Sequence, residues 1–111
     1  MREISVPAKV QVPRDSNTTQ LVMKQAEKAS NPALFATKDA SGQWSDIRAT
    51  DFRDDVRRIA KGLMASGVGA GDRVAIMART RYEWALVDFA VWFAGAVSVP
   101  VYETSSPSQV A

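Results

Sequence analysis

The residues that could do chemistry in this 111-residue chain are carboxylates, arginines, lysines and hydroxyls, because the sequence contains no cysteine and no histidine. Disulfides, thiolate nucleophiles, Cys/His zinc sites and histidine-based triads are therefore excluded within it. The carboxylates Asp51, Asp54 and Asp55 share the first turn of a predicted helix, where acidic side chains favour the positive end of the helix dipole. The sequence accordingly predicts no metal site.

Two arginines lie in residues 78–81, between a predicted strand and a predicted helix. Arg79 and Arg81 could meet an anion at the helix N-terminus. The alternative, which we favour, is that both side chains are solvated beside a helix cap. The glycines of residues 67–71 lie between a helix and a strand, whereas a phosphate loop follows a strand and opens a helix, so they predict a helix end and a turn.

Tyr102, Glu103 and Thr104 follow the last predicted strand. Polar residues at a strand end can line a pocket in an open α/β sheet. They are equally compatible with a loop leading to the next helix. Tyr102 and Thr104 are the candidates for lining a site.

Composition and charge narrow the class of protein. With 46% hydrophobic and 23% charged residues, the chain is typical of a globular domain. Its net charge of +2 is too small to indicate nucleic-acid binding. The N-terminus has no secretory apolar region, and the uncharged run 89–101 is too short to span a bilayer. The prediction is a cytoplasmic chain without a transmembrane segment.

The pattern predicts an α/β fold, with an extended N-terminal arm over residues 1–16 and a partial α/β subdomain over residues 17–111. A β-hairpin is followed by the order α-β-α-β, with a largely parallel sheet. The predicted helices begin at the caps Asn17, Thr50 and Thr80, the last in a capping box with Glu83. The predicted elements are a helix over 18–29, strands over 33–37 and 43–47, a helix ending before Gly67, a buried strand over 73–77, a helix ending at Gly95 and a strand over 97–101.

Two features predict that the subdomain is truncated at its C-terminus. Helix 81–94 is apolar almost all round, interrupted by Asp88, and such a helix is normally buried on all sides. The alternative is that the first helix and the arm cover it. In addition, residues 106–109 carry a helix-start signal immediately before the sequence stops.

Three segments carry a family resemblance: GVGAGDRVAI over residues 67–76, RYEW over residues 81–84 and GAVSVPVYETSS over residues 95–106. Together they closely resemble the long-chain fatty acyl-CoA ligases of the adenylate-forming superfamily. The opening MREISVP over residues 1–7 looks like the bacterial, particularly actinobacterial, members. The resemblance covers about the whole chain. It implies the N-terminal portion of the large domain of such an enzyme.

The resemblance also implies what the parent enzyme does. It would use ATP and Mg²⁺ to convert a fatty acid to an acyl-adenylate, and then transfer the acyl group to coenzyme A. The family's phosphate loop, Thr-Glu pair, adenosine-binding Asp and lid lysine have no counterparts here, so no catalytic residue is carried over and the chain is expected to be inactive alone. Its expected partner is the missing remainder of the ligase. The alternative is a stand-alone binding or dimerisation module that self-associates through helix 81–94.

Overall fold

The computed structural model describes residues 3–110, which form eight elements. They are α1 (Thr18–Ala26), β1 (Ala33–Lys38), β2 (Trp44–Arg48), α2 (Ala49–Ala65), β3 (Arg73–Met77), α3 (Tyr82–Phe93), β4 (Val97–Val101) and the short α4 (Pro107–Val110). Residues 3–15 of the arm are exposed throughout. No helix within residues 3–110 combines the length and the apolar character needed to cross a bilayer.

The strands form two separate two-stranded sheets. Strands β1 and β2 are an antiparallel hairpin, and the Asp39 carboxylate closes its turn by accepting from the backbone N–H groups of Ser41 and Gln43. Strands β3 and β4 are parallel and are joined by the α3 crossover, with Arg73 opposite Val97 and Met77 opposite Val101. The predicted order of a hairpin followed by α-β-α-β is therefore confirmed, and the parallel sheet is the β3–β4 pair.

The core lies between α2 and α3. Phe52, Val56 and Ala60 of α2 pack against Leu86 and Ala90 of α3, and all five are buried. Aromatic rings from β1 and α3 surround Phe52, with ring centroids 4.9 to 6.1 Å from it, and they belong to Phe35, Tyr82 and Phe89. The amphipathic spacing predicted for α2 thus forms the centre of the fold.

Strand β3 is less buried than its apolar sequence predicted. Ile76 is buried beneath α3, whereas Met77 remains 52% exposed. In a parallel pair, opposing residues point to the same face, so Ala75, Met77, Val97 and Val99 share the face of the sheet that α3 does not cover. The prediction of a buried strand over 73–77 was therefore wrong for Ala75 and Met77, which are exposed.

The C-termini of α2 and α3 follow the sequence prediction. Gly67 and Gly95 have φ angles of 95° and 79°, and each follows its helix in a left-handed cap. In each cap, the next two N–H groups bond back to carbonyls of the last turn, as in Val68 N–H to Leu63 and Ala96 N–H to Val91. The turn that follows the α2 cap meets the α3 cap at the amino ends of the parallel strands, where Gly71 N–H donates to Gly95 O at 2.9 Å.

Two predicted helix starts were wrong. Helix α2 begins at Ala49, one residue before the predicted cap Thr50. Thr50 lies inside the first turn, and its N–H donates to Asn31 Oδ1. Helix α3 begins at Tyr82, with Arg81 rather than Thr80 at its N-cap. The Glu83 carboxylate pairs with Arg81 instead of forming a capping box with Thr80. The Asn17 cap is confirmed, since its Oδ1 accepts from Gln20 N–H, but α1 ends at Ala26, earlier than predicted.

Candidate functional site

An open cleft of about 680 Å³ lies at the carboxyl ends of β3 and β4. Two loop segments and one helical side chain line it. These are residues 78–80 after β3, residues 100–104 at the end of β4 and beyond, and Trp84 of α3. The carboxyl edge of a parallel sheet is where open α/β folds bind ligands, so this cleft is the candidate site.

The parallel register brings the two loops together. Met77 and Val101 are the last opposing pair of the sheet, so the chain leaves both strands at the same edge. Helix α3 begins at Tyr82, soon after the first loop, and its first turn places Trp84 against the cleft. The site is therefore built from three neighbouring elements of one β-α-β unit.

The charged groups at the cleft are already paired. Arg79 Nε donates to Glu103 Oε2 at 3.2 Å, which joins the two loops, although the Arg79 side chain is 83% exposed. Beside the cleft, Arg81 donates to both carboxylate oxygens of Glu83, and that hydrogen bonding lowers the pKa of Glu83. Each arginine thus has a carboxylate partner, which agrees with solvated side chains beside the cap rather than with an anion site.

Both predicted candidates line the cleft. Tyr102 is 84% exposed and Thr104 lies two residues further along the same loop. Sequence reasoning missed Trp84 as a cleft residue and Glu103 as the partner of Arg79. The signal available in the sequence was the parallel pairing itself, which requires the residues after β3 to meet those after β4.

Among residues 3–110 there is no cluster of three or more acidic side chains able to hold a metal ion. The glycine-rich turn lies at the opposite end of the sheet, where the Asp72 carboxylate accepts from Gly69 N–H at 2.7 Å. Asp72 therefore closes a turn.

Comparison with known proteins identifies the family of the chain. A family model described as "AMP-binding enzyme" matches residues 22–111, most of the chain. The chain belongs to this AMP-binding enzyme family. The fatty acyl-CoA ligase resemblance is likewise confirmed by the relatives that the chain matches.

The chain matches part of a longer ligase over nearly all of its own length. It is 44% identical over 110 residues to the long-chain-fatty-acid–CoA ligase FadD15 of Mycobacterium tuberculosis, covering 99% of the chain and 18% of that protein. An uncharacterized protein from the same organism is 38% identical over 93 residues, which are 84% of the chain and 53% of that shorter protein. The chain thus spans less than one fifth of the ligase it matches.

Solved structures agree on the fold. A putative long-chain-fatty-acid CoA ligase from Rhodopseudomonas palustris superposes with a TM-score of 0.74 and 25% identity, covering 87% of the chain and 23% of that protein. A fatty acid AMP ligase from Legionella pneumophila gives a TM-score of 0.71 at 18% identity, covering 83% and 16% respectively. The hairpin, the helices and the parallel pair therefore adopt the arrangement of the N-terminal region of an AMP-binding enzyme.

Proposed function

We propose that this chain is the N-terminal part of the catalytic domain of a long-chain fatty-acid–CoA ligase. In this proposal, the complete enzyme joins a fatty acid to AMP, releasing pyrophosphate from ATP, and then passes the acyl group to coenzyme A. The observation that carries the proposal is the 44% identity over nearly the whole chain to a ligase of that activity. The proposed location is the cytoplasm.

The proposed role of these residues is structural support rather than catalysis. ATP, Mg²⁺ and coenzyme A would be held by other parts of the enzyme, because residues 3–110 contain neither a metal cluster nor a glycine-rich loop opening a helix. The chain would supply a wall of the substrate region through its cleft, with Tyr102 and Thr104 on the loop after β4. By itself the chain would not turn over substrate.

The test compares the chain alone with a chimera. In the chimera, the chain replaces the 110 aligned residues of the M. tuberculosis ligase. Pyrophosphate release that depends on fatty acid is measured for both, with the unmodified ligase as positive control and the ligase lacking this region as negative control. We expect activity from the chimera and none from the chain alone.

Two results would contradict the proposal. Turnover by the chain alone at the rate of the unmodified ligase would show that catalysis does not require other segments. A chimera that is folded by circular dichroism but inactive would show that this chain cannot serve as the scaffold of such a ligase.

A second candidate function is a binding or dimerisation module that uses helix α3. The observation in its favour is that Trp92 and Phe93, on this largely apolar helix, are 38% and 39% exposed. Sedimentation of the chain tests this candidate, because a monomer at all accessible concentrations would contradict self-association.

A further inference from the structure

Asp88 is the one charged residue that is buried among residues 3–110, with 7% of its surface exposed. Its Oδ1 atom has no hydrogen-bond partner within that part of the chain. A buried carboxyl oxygen without a donor is costly, and such groups are almost always paired in native proteins. Asp88 therefore has an unmet requirement for a donor.

The position of Asp88 on α3 shows where a donor would have to come from. Trp84 and Trp92 lie one helical turn before and after it, on the same row of the helix. Trp84 lines the cleft together with Pro100 and Val101 of β4, and the Trp92 indole N–H donates to Ser98 Oγ of β4 at 3.0 Å. Trp92 thus contacts β4 and Trp84 borders the cleft at the end of β4, so the row of α3 that holds Asp88 runs along β4.

Strand β4 has a free outer edge in this structure. It pairs with β3 on one side, and β3 and β4 make up the whole of their sheet within residues 3–110. Val97 and Val99, on the face away from α3, are 51% and 40% exposed. Parallel sheets are normally covered on both faces, and edge strands are normally covered, paired or blunted, so both the outer edge of β4 and this face are suited to packing against further protein.

We propose that Asp88 is a docking residue that accepts a hydrogen bond from a lysine or arginine side chain, carried by the part of the AMP-binding domain that packs beside β4. The occupant is the portion of the ligase outside this match, since the chain covers 18% of its ligase relative. A cationic donor fits because it compensates both the charge and the hydrogen-bonding capacity of a buried carboxylate. This inference rests on the function proposed above.

The test measures thermal stability in two contexts, the chain alone and the chimera with the M. tuberculosis ligase. The variants are Asp88→Leu, Asp88→Asn and the control Asp15→Asn, which removes a charge from an exposed position on the arm. Alone, Asp88→Leu should raise the melting temperature by roughly 5 °C, because it removes an unpartnered buried carboxyl. In the chimera it should lower the melting temperature by a similar amount, because the donor then loses its acceptor.

The other variants sharpen the result. Asp88→Asn should cost the chimera less than Asp88→Leu, because the amide oxygen can still accept a hydrogen bond, and Asp15→Asn should change neither context. A lower melting temperature for Asp88→Leu in the chain alone would overturn the proposal, as would an unchanged chimera. A folded but inactive chimera would contradict the proposed function while leaving this thermal measurement decisive for Asp88. If the chimera does not fold, a lower melting temperature for Asp88→Leu in the chain alone still overturns the proposal, whereas a higher one supports its premise that Asp88 lacks a donor within residues 3–110.

Discussion

Asn31 and Thr50, nineteen residues apart, are joined by two reciprocal hydrogen bonds. The Asn31 amide donates to Thr50 Oγ1 at 2.9 Å, and the Thr50 N–H donates to Asn31 Oδ1 at 3.1 Å. Asn31 thereby does for helix α2 what a local cap would do, since it satisfies an N–H of the first turn. It also fixes the loop after α1 to the start of the helix that carries the core.

Replacing Asn31 should therefore destabilise the chain by two separable effects. Asn31 has a φ angle of 39°, which asparagine tolerates and alanine does not. Asn31→Ala should cost about 2 kcal/mol, from the lost cap and the strained backbone. Asn31→Gly, which relieves the backbone but still lacks the cap, should cost about 1 kcal/mol. Urea unfolding checks both, and equal losses for the two variants would contradict the backbone contribution.

Two glycine-to-alanine substitutions should have opposite effects on stability. Gly95 has a φ of 79°, and a Cβ placed there would lie 3.4 Å from the Ala70 Cβ, so Gly95→Ala should destabilise the chain by about 1–2 kcal/mol. Gly62 lies inside α2, and a methyl group added there would meet nothing within 4 Å, so Gly62→Ala should stabilise the chain by about 0.5–1 kcal/mol. Thermal unfolding of the two variants side by side provides the measurement. A stabilising Gly95→Ala would show that the α3 cap does not need a left-handed residue.

The hydroxyl of Tyr82 should make the chain sensitive to alkaline pH. Burial, helped by the charge of the Asp55 carboxylate, raises the pKa of Tyr82 from 10.0 to about 12. The folded state therefore holds this proton more tightly than the unfolded state. The resulting contribution to stability is complete below pH 10 and is lost as pH rises towards 12.

The matched variant is Tyr82→Phe. Because the Tyr82 hydroxyl is buried without a partner in the described residues, removing it should leave stability at neutral pH unchanged or raise it by up to about 1 kcal/mol. Between pH 10 and 12 the variant should lose less stability than the wild type. Urea unfolding across this range tests the prediction, and parallel losses in the two proteins would assign the alkaline sensitivity to other groups.

The cleft residues should affect substrate use in the chimera if they form a wall of the substrate region. Tyr102→Ala and Thr104→Val should each raise the KM for fatty acid or ATP several-fold, because they remove contacts without removing catalytic groups. Trp44→Ala is the control, since Trp44 is an exposed aromatic residue of the hairpin outside the cleft. Unchanged KM values for both cleft variants would place the substrate elsewhere.

Much of the fold was predictable because its signals are local. The spacing of Phe52, Val56 and Ala60 predicts the buried face of α2, and Gly67 and Gly95 mark helix ends because they tolerate a left-handed backbone. The start of α2 was not predictable, because the group that satisfies its N-terminus comes from Asn31 in a preceding loop.

The candidate site was predictable in outline only. The position of Tyr102 and Thr104 at the cleft follows from the strand order, since parallel strands end at one edge. The pairing of Arg79 with Glu103 depends on the register of β3 against β4 and on side-chain conformation, neither of which hydrophobic periodicity specifies. The exposure of Met77 was also missed, because an apolar sequence shows that a strand should be buried without showing how much protein is present to bury it.

The two ends of the parallel sheet are held with different strength. At the amino ends, backbone hydrogen bonds tie the turn before β3 to the residues before β4, through Gly71 N–H to Gly95 O at 2.9 Å and Val97 N–H to Asp72 O at 2.7 Å. At the carboxyl ends, the loops are bridged by the exposed pair of Arg79 and Glu103. Amide hydrogen exchange should therefore be slow at the amino ends and fast around the cleft. We therefore expect an occupant of the cleft to displace the loops after β3 and β4 more readily than the residues at the amino ends of these strands.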